Sequence, residues 1–140
     1  MATDRTFRRS LHPLHAVLLA GTIPLFLGAL LSDYAYSSTY YIQWATFASW
    51  LLAGGLVFAG LALLWAIIGL IRPDHRRPDY LVYIALLVAT WIVGFLNALI
   101  HARDAWGMMP TGMILSIVMT LLACAATWIA FSRLHAGGQA

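Results

Sequence analysis

Phe47 to Ile71 reads FASWLLAGGLVFAGLALLWAIIGLI, without a single charged residue. About 20 apolar residues of helix cross the hydrocarbon core of a bilayer. No water is available there, so the backbone must bond to itself, and a helix does so within one segment. This stretch therefore predicts a membrane-spanning helix, with a start as early as Tyr40 also open.

Working outward, three more stretches qualify. They run from about Leu14 to Leu31, Tyr80 to Ile100 and Met109 to Phe131, and none carries an Arg or Asp in its middle. The predicted fold class is all-α: a single domain, residues 1–140, forming an integral membrane four-helix bundle. Composition agrees. The 140 residues are 62% hydrophobic and 9% charged, whereas a soluble domain is nearer half apolar and a quarter charged. The bilayer is thus the first partner the sequence calls for.

Every basic residue is Arg and every acidic one Asp. The net charge of +3 does not point to nucleic acid, because no stacking platform or groove-reading motif accompanies it. The arginines instead flank the spans. Arg5, Arg8 and Arg9 precede the first, Arg72, Arg76 and Arg77 separate the second and third, and Arg133 follows the fourth. Only Arg103 lies on the other side. The positive-inside bias places both termini in the cytoplasm. The Arg8-Arg9 pair is read as such a flank rather than a twin-arginine signal.

Local signals set the boundaries. Pro73 should end the second helix, Asp79 should cap the third, and Pro110 fits the first turn of the fourth. Pro24, mid-span, predicts a kink in the first helix. Tyr34, Tyr36, Tyr40, Tyr41, Trp44 and Trp106 would form an outer aromatic belt, with Tyr80 and Tyr83 in the inner one.

Small residues mark helix contacts in lipid. Gly21 and Gly28 on the first span, and Gly54, Gly55, Ala59 and Gly60 on the second, are read as packing sites; a homo-oligomer is a further use of them. Thr90, Gly94, Asn97 and His101 follow one helical face. Ser116, Thr120, Cys124 and Thr127 do the same on the next helix. The two stripes are expected to face each other and hydrogen-bond. Cys124 is the lone cysteine, which excludes an intrachain disulfide and reads as a small packing residue.

Candidate chemistry lies at the two ends. His12 and His15 stand at the inner mouth of the first span, within one turn, and are the candidate cofactor ligands. A b-type haem is the group they would take. At the outer end, His101, Arg103, Asp104 and Trp106 crowd one short segment, and Asp33 reaches the same layer. With Asn97 these form the candidate ligand or partner site. An Asp33–His101 or Asp33–Arg103 contact would clasp the helix ends. There is no nucleophile–base pair, phosphate loop or zinc spacing, so no catalytic residue is assigned and no metal site is read. No carboxylate falls in mid-span, which argues against a pump.

His12-Pro13-Leu14-His15, Asp33, and the run Asn97-Ala98-Leu99-Ile100-His101-Ala102-Arg103-Asp104-Ala105-Trp106 followed by Pro110-Thr111-Gly112-Met113-Ile114-Leu115-Ser116 resemble a bacterial four-helix membrane family, the domain of unknown function 2231. The resemblance covers nearly the whole chain. Where the family often shows a second proline after the second histidine, this chain has Ala16. The family's further histidine within the first span is absent. The resemblance implies a bacterial inner (plasma) membrane location, four helices and no established activity. It also implies an association with a periplasmic redox protein, with His12, His15 and His101 the residues concerned. Three functions follow for test: a non-enzymatic accessory or anchor acting through its outer face, a haem- or quinone-linked electron-transfer protein, and a small channel or carrier.

Overall fold

The computed structural model describes residues 11–73, 76–103 and 105–134. Arg5, Arg8, Arg9, His75, Asp104, His135 and the closing Gly137-Gly138 lie outside the described residues.

Four long helices carry the chain: α1 (Pro13–Thr39), α2 (Ile42–Gly69), α3 (Pro78–His101) and, after the single-turn α4 (Ala105–Met108), α5 (Thr111–Ile129). The last continues as a π-helical turn, Ala130–Leu134. Among the described residues there is no strand. Each long helix packs beside two others, α1 and α3 each against both α2 and α5. The result is a closed square. Its near end holds residue 11 and the α2–α3 connection; its far end holds the α1–α2 and α3–α5 connections.

All four helices are long and apolar enough to cross a membrane. No more than 39% of any span's most apolar window is buried inside the protein. Trp50, Val57, Leu121 and Trp128 stand exposed on the sides. Hydrocarbon must cover them, since water would not.

Several boundaries differ from the sequence reading, each for a local reason. α1 does not stop at Leu31 but runs to Thr39. Its polar last turns sustain themselves, with Ser37 and Ser38 donating to the Tyr34 carbonyl and Thr39 to that of Ala35. Hydropathy marks depth in lipid, whereas a helix continues wherever its own bonds hold. α1 ends on Tyr40 in the left-handed region, φ 55°, whose N–H closes onto the Tyr36 carbonyl at 2.7 Å. α2 ends at Gly69, before Pro73 can act. Arg77, not Asp79, is the N-cap of α3; Pro78 takes the first helical position and Asp79 joins the first turn, where a carboxylate suits the helix dipole. Pro110 stands at the N-cap of α5, one place ahead of its expected position. α1 passes through Pro24 as one continuous helix.

Small residues let large ones in. A Cβ on Gly21 would collide with the Phe58 ring, and one on Gly55 with the Phe26 ring. Thus α1 and α2 interlock by aromatic rings seated over glycines on the opposite helix. Phe26, wholly buried, anchors a middle core layer with Ala29, Leu52, Ala59, Met119 and Ala123. Leu19, Tyr83 and Leu87 fill the layer toward the near end.

The two polar stripes meet at one bond only, Asn97 to Ser116. Thr90, Thr120 and Thr127 donate to carbonyls of their own helices. A hydroxyl can do this within one turn, and so needs no partner across the bundle. Cys124 is exposed rather than packed inside. Tyr36, Tyr80 and Tyr83 are buried in the bundle and not in an aromatic belt.

Candidate functional site

The far end of α1 carries Asp33 inside the helix, six residues before its last, Thr39. Its side chain is fully buried. The carboxylate lies inside the helix rather than beyond it, because α1 outruns its hydrophobic stretch. A charge here demands partners, and two helices supply them. Nε2 of His101, at the end of α3, lies 2.7 Å from Asp33 Oδ1. Ser116 Oγ, one turn into α5, donates to Oδ2 at 2.5 Å.

The network continues around a ring. Asn97 Nδ2 donates to Ser116 Oγ at 2.8 Å. His101 Nδ1 lies 2.9 Å from the Asn97 carbonyl oxygen, one turn back on its own helix. A carbonyl only accepts, so Nδ1 carries a hydrogen. The Nε2–Oδ1 contact then holds one more, on the ring or on the carboxyl group. With either placement the pair is neutral overall, so the site buries no net charge. One atom of the ring of bonds is left over: Asn97 Oδ1 is buried and has no partner.

A small cleft of about 120 Å³ opens beside this network between α2, α3 and α4. Ile42, Ala45, Thr46 and Ser49 form one wall, and His101, Arg103 and Met108 the other. Arg103 is exposed at this end. Trp106 is 81% exposed and stacks on Tyr40, ring centroids 6.1 Å apart.

Of the residues singled out from sequence, the structure thus joins Asp33, Asn97 and His101 directly. Arg103 lines the cleft. Trp106 sits apart on the rim, and Asp104 lies outside the described residues. Ser116 was missed as a site residue and visible only as a stripe member. Its signal is positional: it shares a buried layer with the one asparagine of the chain.

The near end holds a second, smaller cluster. His12 is the N-cap of α1 and its Nδ1 accepts from Leu14 N–H at 3.3 Å. His15 Nε2 meets the Tyr83 hydroxyl at 2.7 Å. Both imidazoles pack on Trp65, at 4.9 and 6.0 Å between centroids. His15 Nδ1 is buried without a partner. Haem ligation through His15 Nε2 would require Tyr83 to release it. Among the described residues, no three His, Cys, Asp or Glu side chains group to hold a metal ion.

Searches among curated proteins and solved structures find no match. One family pattern does match, over residues 11–130, and it is described as a predicted membrane protein. That range takes in all four long helices up to the π-helical turn, with both histidine clusters and every member of the buried network. The agreement of matched range, four lipid-length helices and motif residues assigns the chain to its family: it is a member of the membrane proteins grouped as domain of unknown function 2231.

Proposed function

We propose that this chain is an accessory or anchor protein of the bacterial inner membrane that works from its far end, with that end facing the periplasm and both termini in the cytoplasm. The observation that carries the reading is the Asp33 carboxylate, which ties α1 to both α3 and α5 while fully buried. Such a bond set fixes the ends of three helices in one arrangement. The surface above it then presents a rigid display of Arg103, Tyr40 and Trp106. Large exposed aromatics and arginines are the residue types that anchor protein contacts. The arginine bias supports the direction, and a periplasmic redox protein is the partner class in view.

A photo-crosslinking residue placed at Trp106 in membranes should give discrete protein adducts. The same group at Trp50, on the lipid-facing side of α2, should give lipid adducts alone. Identical adduct patterns from both positions would remove the reading.

A second reading, an electron carrier with a b-type haem, draws on the unpartnered Nδ1 of His15. It expects a Soret band that shifts on dithionite reduction and disappears in His15→Ala. A colourless preparation from haem-replete cells would end it.

A further inference from the structure

The leftover acceptor in the far-end network has a use if the network can run in both directions. In the arrangement seen, hydrogens point toward Asp33: Asn97 donates to Ser116, and Ser116 donates to the carboxyl group. A protonated Asp33 would need an acceptor for its own hydrogen. Ser116 is the neighbour on Oδ2, and a hydroxyl both gives and takes. It can accept from Asp33 only if its own hydrogen points elsewhere. Asn97 then has to accept where it now donates. A half-turn of its amide places Oδ1 where Nδ2 stands, and Oδ1 is the buried atom with no other engagement.

We propose that Asp33 is a loading site for one proton drawn from water in the far-end cleft, and that Ser116 and Asn97 form a reversible hydrogen-bond chain that accommodates it. His101 passes its Nε2 hydrogen to Asp33 Oδ1. A half-turn of the carboxyl group carries the received hydrogen to the Ser116 side, turns a bare oxygen toward His101 and frees the Nε2 lone pair. A hydronium ion from the cleft, which His101 lines, then reprotonates Nε2 and leaves as water. The Ser116 hydrogen swings to Asn97 Oδ1 as the amide turns. One proton is gained, the cluster becomes singly positive, and no bond in the ring is lost.

Among the described residues, the groups facing the site can be named element by element, and α1 also places the buried Tyr36 hydroxyl at this end, packed with Ala45 and Met108. α1 gives Asp33 and α5 gives Ser116, with Gly112 beneath the His101 ring. α2 contributes the uncharged Thr46 and Ser49 of the cleft wall, and α4 contributes Met108. α3 gives Asn97 and His101, and the connection that follows it adds Arg103, a charged side chain, to the cleft lining. The inference uses the same cluster as the proposed clasp but does not depend on a docked partner. Crosslinking at Trp106 and the measurement below can each fail alone.

Infrared difference spectra of the whole protein in nanodiscs, taken on acidification, test it. The carbonyl stretch of a protonated carboxyl group should appear, shift in D2O, and be lost in Asp33→Asn. It should move in Ser116→Ala, where the acid loses its acceptor. Asn97 is the single asparagine, so asparagine labelled at the side-chain carbonyl with carbon-13 reports on it alone. That band should shift to lower frequency on loading, as Oδ1 gains a donor. This second measurement needs no substitution and stands even where Ser116→Ala fails to fold. A spectrum identical to that of Asp33→Asn throughout the folded range would overturn the proposal, and so would an Asn97 carbonyl band that stays still while the acid band appears.

Discussion

Asp33→Ala should lower the stability of the bilayer-reconstituted protein by about 3 kcal/mol or more, while Asp33→Asn should cost far less. The alanine removes the acceptor shared by His101 and Ser116. It strands an imidazole and a hydroxyl in a fully buried site, and breaking a buried pair from one side is costly in this range. Asparagine keeps the shape. Its carbonyl accepts from Ser116, and its amide N–H donates to Nε2 of a neutral His101 whose Nδ1–H still meets the Asn97 carbonyl. Unfolding by steric trapping or by denaturant in mixed micelles measures both. Equal losses for the two substitutions would mean that the ionisable carboxyl group itself, not the bond pattern, holds the helix ends. The same pair separates architecture from proton loading, because Asp33→Asn preserves the first and abolishes the second.

Phe26→Ala should cost about 3–5 kcal/mol, the range for emptying a large aromatic site in a packed core. Phe26 is fully buried over Gly55. Gly55→Leu alone should cost about 1–3 kcal/mol through overpacking against that ring. Combined, the two should cost less than their sum, because the new leucine enters the space the ring vacates. Thermal unfolding of the four proteins in one detergent gives the coupling. Strict additivity would show that the ring and the glycine do not define this contact.

The spans were legible because lipid imposes a one-dimensional rule: length and apolarity suffice where the backbone must satisfy itself. Gly21 and Gly55 were legible as packing positions for the same reason. What each received was not, since nothing local to Gly55 names Phe26 as its occupant. The helix ends were harder. Asp33 reads as the close of a hydrophobic run, yet its helix continues through Ser37 and Thr39 on hydroxyl-to-carbonyl bonds. Depth and helicity are different properties, and hydropathy reports only the first.

The far-end site was half visible. Asp33, Asn97 and His101 stood out as polar groups in apolar surroundings, and polarity in lipid seeks company. Ser116 did not, because a serine in a span can satisfy itself on its own helix, as Thr120 and Thr127 do. Tyr83 misled for a related reason. A tyrosine near a span's end suits an interface, and only the placement of His15 turns its hydroxyl inward. Helix pairing decides such cases, and it depends on contacts far apart in the chain.

Asp33 lies 68 residues ahead of His101 and 83 ahead of Ser116. Synthesis runs from the N-terminus, so the first helix is delivered to the bilayer well before either neighbour that neutralises its carboxyl group. Until then that helix carries an unmatched acid, held protonated or kept at the headgroups. Its final seating thus waits for the closing hairpin, and a chain cut short after the second helix would lack the means to bury its own aspartate. The clasp can close only once α5 has followed α3 into the bilayer.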